Sequence, residues 1–167
     1  TVGTALLYEI IVEKNLPIKK VIVASSQAVL GEGKYHCLDH GYFLPNIRPE
    51  DKLITGDWEI CCPNCSAWAQ YQRSDELVIN PQNQYAISKY SQEMLAINLG
   101  NRYNIPTVCL RYSIVQGSRQ SFYNAYSGAM RIFSLALFQG KSPIIFEDGE
   151  QIRDFVNIYD VIDANML

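Results

Sequence analysis

A tyrosine and a lysine four residues apart, with a serine far upstream of them, could together perform acid/base chemistry. Tyr85 and Lys89 lie in a segment of helical periodicity, so their side chains project from one helix face. An ammonium group beside a phenol stabilises the phenolate, which lets the phenol exchange a proton with a substrate hydroxyl near neutral pH. Ser26 follows an apolar run, at the strand end where parallel sheets bind ligands. Tyr–Lys pairs at this spacing also arise by chance, so the pair alone is weak evidence of catalysis.

Two short motifs could hold a metal ion. The first is Cys37-Leu38-Asp39-His40, and the second, after 21 further residues, is Cys62-Pro63-Asn64-Cys65. Two pairs of such ligands can complete a tetrahedral zinc shell, and a closed shell predicts a structural role. The surrounding polar segment has few large apolar residues, so a metal would supply folding energy that it lacks. The alternative is an ordinary loop with incidental thiols.

The other cysteines and the second histidine fit this site less well. Cys61 is a spare thiol, and His36 has the wrong spacing to replace His40. Cys109 stands in an apolar run, which predicts a small core side chain. Five cysteines, an odd number, argue against a disulfide framework and favour a reducing compartment, so we expect a cytoplasmic protein.

Composition limits the classes of partner. The 167 residues include 14 basic and 17 acidic side chains, whereas a nucleic-acid-binding surface needs a basic excess. No run of 18 apolar residues is present, so we expect no membrane span. Hydrophobic residues make up 48% of the chain, which is enough for a folded core. We therefore expect neither a nucleic-acid nor a membrane partner.

Helical and strand patterns alternate along the chain and must position these side chains. Apolar residues at helical spacing predict three helices, over 1–14, 83–101 and 128–138. Continuous apolar runs predict four strands, at 19–24, 107–112, 143–146 and 154–158. The alternation predicts an α/β fold with a parallel sheet covered by helices. Residues 32–80 interrupt it without periodicity, and the patterns at both chain ends predict an internal piece of a longer protein.

Four segments resemble motifs of the extended short-chain dehydrogenase/reductase family, in the family's order. They are the strand and Ser-Ser turn at 21–31, the Tyr-x-x-x-Lys segment at 81–89, the Leu-Arg-Tyr strand and loop at 110–120, and the Arg-Asp-Phe-Val hairpin at 148–156. The resemblance implies a Rossmann-like parallel sheet with helices on both faces, formed by residues 1–31 and 81–167. A small zinc-ribbon-like insert, residues 32–80, would interrupt that fold.

The resemblance implies an NAD-dependent nucleotide-sugar epimerase or dehydratase and a role for individual residues. Tyr85 would be the catalytic acid/base, Lys89 would bind the nicotinamide ribose and tune Tyr85, and Ser26 would contact the sugar hydroxyl. Arg153 would hold the substrate diphosphate, for which a planar fork of donors is suited. Besides Lys89, the residues expected to contact NAD are Tyr85 itself, Ala24, Tyr112 and Val115.

The residues after Ser26 discriminate between reactions within the family. Its dehydratases have an Asp-Glu pair there, because eliminating water needs an acid and a base, but this chain has Gln27 and Ala28. Epimerisation at C4 needs only removal of hydride, rotation of the 4-keto sugar and return of hydride to the other face. A C4 epimerase is therefore favoured, although Ile114 replaces the family's Asn and leaves the sugar open. The alternatives are a dehydratase or reductase of the same family, or a non-catalytic relative that uses the ribbon as a binding module.

With a zinc-ribbon-like insert between Ser26 and Tyr85, the sequence resembles a subset of bacterial nucleotide-sugar epimerases that includes dTDP-L-rhamnose 4-epimerases. That subset also has Gly-Glu-Gly-x-Tyr, here at 31–35, and Asn-x-Tyr-x-Gly, here at 124–128. The family's Gly-rich phosphate loop belongs to a strand and helix that this sequence does not contain, so we expect this piece alone to be inactive. The helices at 1–14 and 85–101 carry surplus apolar surface, and in this family the corresponding helices form a dimer interface. We therefore expect a homodimer.

Overall fold

Alternating helices and strands form the first of two units, residues 1–111, and a second unit follows at 112–167. The computed structural model describes residues 1–123 and 128–167, so the Asn-x-Tyr-x-Gly segment lies largely outside the described residues. In chain order the first unit contains α1 (Val2–Glu13), β1 (Val21–Ser26), β2 (Lys34–Cys37), β3 (Gly41–Phe43), α2 (Glu50–Ile54), β4 (Gln70–Gln72), α3 (Gln84–Tyr103) and all but the last residue of β5 (Thr107–Tyr112).

The core of the first unit lies where α1, α3 and β1 meet. Tyr8, Val23 and Ala96 are buried at its centre, and partly buried side chains pack around them: Val21, Leu99, Ile105 and Cys109. The buried Tyr8 hydroxyl shares a hydrogen bond of 2.6 Å with Thr107 Oγ1, which connects α1 to β5. β1 and β5 are neighbours in one sheet. The helices predicted at 1–14 and 83–101 and the strands predicted at 19–24 and 107–112 are confirmed as α1, α3, β1 and β5. Cys109 is partly buried and packs against this core.

Small residues and polar caps explain the bounds and packing of α3. Asn83 Oδ1 accepts the N–H of Ala86 at 2.8 Å, which satisfies a free donor at the helix start. The helix ends at Tyr103, and the cap residue Asn104 follows with a left-handed φ of 55°, which suits asparagine. Ala86, Ala96 and Gly100 are buried on the helix, and this small-residue face allows close packing.

The insert contains a three-stranded antiparallel sheet, in the order β3-β2-β4, where the sequence predicts no regular structure. The Tyr35 ring on β2 packs against Phe43 and Tyr71 on the two outer strands, with centroids 6.3 and 5.9 Å apart. Such cross-strand aromatic pairs stabilise a small sheet. The strands have only three or four residues, so no alternation of polar and apolar residues is visible in the sequence.

The two ends of the insert are joined beside β1. The Asn80 N–H donates to the Val29 carbonyl at 2.9 Å, and the Lys34 N–H donates to Ser74 Oγ at 3.2 Å. Gly31 has a φ of 63°, and a Cβ there would collide with the Asn80 carbonyl. Glycine is required at this position, because only glycine allows both the left-handed backbone and the close approach.

The second unit contains β6 (Ile114–Gln116), α4 (Ala129–Phe138), β7 (Phe155–Asn157) and α5 (Ile158–Met166). β6 and β7 pair in parallel, with Val115 opposite Val156, and the predicted helix at 128–138 is confirmed. Among the described helices of the chain, none is both long and apolar enough to cross a membrane.

Two details predicted for the second unit are wrong. Residues 143–146 form no strand, and Ile144 and Phe146 are 74% and 78% exposed, because no described strand pairs with this segment. The hairpin around Gly149 is therefore absent from the described residues. The strand predicted at 154–158 ends at Asn157, whose Oδ1 accepts the N–H of Tyr159 at 3.0 Å. That cap begins α5 at Ile158.

Candidate active site and metal centre

α3 presents Tyr85 and Lys89 next to the end of β1. Lys89 Nζ lies 6.0 Å from the centre of the Tyr85 ring and donates to the Ala24 carbonyl at 2.8 Å. Tyr85 is 55% exposed, so a ligand can reach its phenol. An ammonium group has three donors, so Lys89 can bind further acceptors while it contacts Ala24. This arrangement places an accessible phenol and a cation on one helix face.

Ser26 is the last residue of β1 and is buried. Its Oγ accepts the N–H of Ala28 at 3.2 Å and so caps the short 3₁₀ helix Gln27–Leu30. This bond orients the side chain and still leaves its O–H available as a donor. α3 packs against both β1 and the 3₁₀ helix. The structure therefore places Ala24, Ser26, Tyr85 and Lys89 on two elements that contact each other.

A buried polar network, which sequence reasoning missed, lies behind these residues. The Ser25 hydroxyl donates to Glu93 Oε1, and Arg111 donates to both Glu93 oxygens, at 2.9 Å from Nε to Oε1 and 2.8 Å from Nη2 to Oε2. Burial raises the pKa of Glu93, but the hydrogen bonds from Arg111 and Ser25 outweigh it and hold the pKa below its usual value. The sequence shows only that Glu93 continues the row of Tyr85 and Lys89 at four-residue steps, and it gives no sign of the partners Ser25 and Arg111.

The three remaining candidates belong to the second unit. Tyr112 begins this unit, and its buried hydroxyl has no hydrogen-bond partner among the described residues. Val115 is the central residue of β6 and pairs with Val156. Arg153 is exposed just before β7, and its Nη1 donates to the Ile152 carbonyl at 2.7 Å. The candidate NAD and diphosphate residues of this unit therefore lie at or near the β6–β7 pair.

The four predicted metal ligands lie together in the insert. The ligand atoms of Cys37, His40, Cys62 and Cys65 are all within 4.8 Å of one another. His40 Nδ1 is 3.6 Å from Cys37 Sγ and 3.7 Å from Cys62 Sγ, and the Cys37 and Cys65 sulfurs are 3.7 Å apart. A tetrahedral zinc ion with Zn–S bonds of about 2.3 Å separates its sulfurs by about 3.8 Å. The donor types and their spacing therefore fit zinc.

The second motif forms a tight turn that directs backbone donors at its sulfurs. The Cys62 N–H donates to the Ala67 carbonyl and the Ser66 N–H to the Cys62 carbonyl, at 2.8 and 2.9 Å. Burial raises the pKa of the Cys62 thiol, but the N–H groups of Asn64 and Cys65 and the neighbouring thiols lower it to about 7. The Ala67 N–H lowers the pKa of Cys65, but burial and the nearby sulfurs outweigh it and raise the pKa.

The other candidates for this cluster lie outside it. The His36 ring packs on Tyr42, with centroids 4.7 Å apart, and Cys61 Sγ donates weakly to the Glu59 carbonyl at 3.9 Å. All five cysteines are free thiols. Among the described residues, the cluster therefore consists of the two predicted pairs.

Comparison with known proteins identifies the family of the chain. The family described as the NAD dependent epimerase/dehydratase family matches residues 64–167. This chain belongs to that family. Its α/β fold class is confirmed by solved members, among them the UDP-N-acetylglucosamine 4-epimerase of Methanobrevibacter ruminantium in complex with UDP-N-acetylmuramic acid. That structure superposes with a TM-score of 0.65 and 30% identity, over 96% of this chain and 40% of the epimerase.

Two further members of the family are similar over nearly the whole chain. The dTDP-L-rhamnose 4-epimerase of Burkholderia thailandensis is 31% identical over 98% of this chain. The UDP-glucuronic acid 4-epimerase of Bacillus cereus, solved with UDP-glucuronic acid and NAD, superposes with a TM-score of 0.64 and 25% identity over 98% of this chain. The chain spans 44% of the length of the first protein and 38% of the second.

Proposed function

We propose that the protein to which this chain belongs is an NAD-dependent nucleotide-sugar C4 epimerase. The observation that carries the proposal is the contact of α3 with the end of β1. There Lys89 donates a hydrogen bond to the Ala24 carbonyl, two residues before Ser26, and the Tyr85 side chain is accessible to a ligand. The absence of an acid at Gln27 and Ala28, directly after Ser26, favours epimerisation over elimination of water. The similar proteins described above, whose names are those of 4-epimerases, support the same reaction.

Each of the four residues has a defined task toward the sugar substrate in the proposed reaction. Tyr85 takes the proton of the C4 hydroxyl as hydride leaves C4, and returns it to the same oxygen after the 4-keto sugar has turned over. Lys89 stabilises the phenolate form of Tyr85, and Ser26 donates a hydrogen bond to the reacting oxygen. Arg153 binds the diphosphate, so the sugar rotates about a fixed anchor.

A bound nicotinamide dinucleotide would accept the hydride from C4 and return it to the opposite face. The residues of α3 fit such a group, because Lys89 combines a fixed position at Ala24 with donors suited to ribose hydroxyls. The exposed phenol of Tyr85 lies on the same helix face. We assign Ala24, Tyr112 and Val115 as further contacts of the dinucleotide.

The test of this proposal uses the full-length protein, NAD and a panel of UDP- and dTDP-linked sugars followed by proton NMR. We expect inversion at C4 of at least one sugar, seen as a changed coupling between the protons on C3 and C4. Formation of a 4-keto-6-deoxy sugar would indicate a dehydratase instead. No conversion of any sugar in the panel would contradict the proposal.

We further infer that Cys37, His40, Cys62 and Cys65 bind one structural zinc ion. The inference is supported by four donors at tetrahedral spacing and by the turn that directs N–H groups at Cys62. Metal analysis of the purified full-length protein should find about one zinc per chain. Less than about a tenth of an equivalent, with Cys37 and Cys62 alkylated freely in the native protein, would contradict this site.

We also infer that the full-length protein is a homodimer. α1 and α3 pack side by side, and both expose large apolar side chains: Leu6, Leu7, Ile10, Ile87, Met94 and Ile97. Apolar patches of this kind mark interaction surfaces. A second copy of the same helix pair would cover them, and light scattering of the full-length protein should give a dimer mass.

A further inference from the structure

Glu93 continues the helical row that begins with the two candidate catalytic residues. Lys89 Nζ donates to the Ala24 carbonyl at 2.8 Å, and one turn later Glu93 accepts the hydroxyl of Ser25. α3 therefore contacts two consecutive residues of β1, and the next residue of the strand is Ser26. Because Ser26 directly follows Ser25 at the end of β1, holding Ser25 in place also holds the backbone from which the Ser26 side chain projects.

Arg111 holds Glu93 in place. Its Nε is 2.9 Å from Oε1 and its Nη2 is 2.8 Å from Oε2, a bidentate pair in which the carboxylate is only 8% exposed. Arg111 Nη1 also donates to the Glu76 and Val78 carbonyls, at 3.0 and 3.1 Å, where the chain returns from the insert. One guanidinium therefore connects β5, α3 and the end of the insert, and through Glu93 it reaches β1.

A buried ion pair is a poor way to gain stability, because desolvation of both charges offsets much of their attraction. Apolar side chains of similar volume could fill the same space. They would, however, allow α3 to shift along β1, whereas directional bonds from Ser25 and Arg111 define one register. Geometry, more than stability, explains why ionised groups occupy this position.

We propose that Glu93, oriented by Arg111, is a positioning residue that sets the register of α3 on β1, so that Tyr85 and Ser26 face the same substrate hydroxyl. This role rests on the proposed epimerase function. Loss of the register would misplace the phenol and the serine hydroxyl relative to each other while the surfaces that bind the nucleotide remain. Misplacement of reacting groups by about 1 Å can lower turnover by about 100-fold.

The test compares Glu93→Gln and Ser25→Ala in the full-length enzyme at a temperature well below unfolding. Ser25→Ala removes one hydroxyl and keeps the ion pair, so it remains informative if Glu93→Gln folds poorly. The control is Asp57→Asn, which changes the same chemistry in a solvent-accessible pair with Lys52 at 3.4 Å. We expect Glu93→Gln and Ser25→Ala to lower kcat by about 10- to 100-fold with KM within about threefold, and Asp57→Asn to leave both constants unchanged.

The result that overturns the positioning role is a lower Tm with the kcat of the folded enzyme unchanged in both variants, as a purely structural role requires. An equal loss in Asp57→Asn would also overturn it, because the effect would then be unspecific. If the wild-type enzyme converts no nucleotide sugar, the proposed function fails and the positioning role fails with it. That outcome is recognised from the wild type alone, before any variant is measured.

Discussion

The Cys/His cluster and the Ser26–Tyr85 region both join distant segments of the chain, but different forces hold them. In the cluster, one ligand ends a four-residue strand and the others lie in or beside turns, and two of the insert's buried apolar side chains, Cys37 and Cys62, are themselves ligands. In the Ser26–Tyr85 region, a 20-residue helix packs on a strand over a core of Tyr8, Val23 and Ala96. The insert therefore has few buried contacts besides the proposed zinc ligands, whereas the α/β part is stabilised by buried area.

This difference predicts how each region responds to a single substitution. A variant in the α/β part can lose its chemistry while the fold persists, because the core does not include the reactive side chains. A variant in the insert that removes a ligand loses both the site and the local fold, because few other buried contacts remain. The following predictions test that separation in the full-length protein.

The largest effect is expected for Tyr85→Phe. Loss of the acid/base should lower kcat by about 100-fold or more, while circular dichroism and Tm stay close to wild type, because the phenol is exposed. Tyr103→Phe, at the exposed end of the same helix, is the matched control and should retain full activity. Turnover near wild type in Tyr85→Phe would remove this residue from the mechanism.

A smaller loss of activity, with loss of local structure, is expected for Cys62→Ser. Bound zinc should fall from about one equivalent to less than about a tenth, and hydrogen exchange should rise across residues 32–80 while β1, α3 and β5 stay protected. KM should increase because the insert begins and ends beside Ser26 and Tyr85. Cys61→Ser is a control one residue away, and it should keep zinc and protection. Equal zinc loss in both variants would argue against the ligand set.

A charge placed in the proposed dimer interface of α1 and α3 tests whether dimerisation depends on the α/β part and not on the insert. Leu7→Glu, on α1, should raise the dimer dissociation constant by about 10-fold or more, because an unpaired carboxylate in an apolar interface is costly. Leu38→Glu adds the same charge to the insert, where the side chain is 83% exposed, and should leave the dimer intact. Light scattering over a concentration series measures both. A dimer unaffected by Leu7→Glu would exclude this surface as the interface.

The smallest effect is a pH dependence of stability from Glu93. Its pKa in the folded protein lies below the unfolded value of about 4.3, so the ionised group contributes stability above that pH. The contribution is lost as the pH falls through the folded pKa. The difference in free energy of unfolding between wild type and Glu93→Gln should therefore be constant from pH 6 to 8 and narrow below about pH 4, by at most about 1.4 kcal/mol per pH unit. Urea unfolding at each pH measures it, and a constant difference down to about pH 3 would contradict the assignment.

The amino-acid sequence alone determined the features that depend on neighbouring residues. The apolar runs of β1 and β5 and the helical spacing of apolar residues in α1, α3 and α4 predicted these elements. Such patterns involve only residues that are close together in the sequence. The same holds for the pairing of Tyr85 with Lys89 on one helix face and for the two metal motifs, since short fixed spacings determine which side chains can share a ligand. The incorrect strand at 143–146 shows the limit of this reasoning, because an apolar run becomes a strand only where another strand pairs with it.

Contacts between distant residues were decided by the tertiary structure. The sheet of the insert, the joining of Asn80 to Val29, and the network of Ser25, Glu93 and Arg111 each connect segments whose separation in sequence carries no signal. Glu93 is an ordinary surface acid by its helical spacing, and only the approach of Arg111 from β5 makes its burial favourable. A buried charge is acceptable only when its partner is present, and that partner is placed by packing of the whole unit.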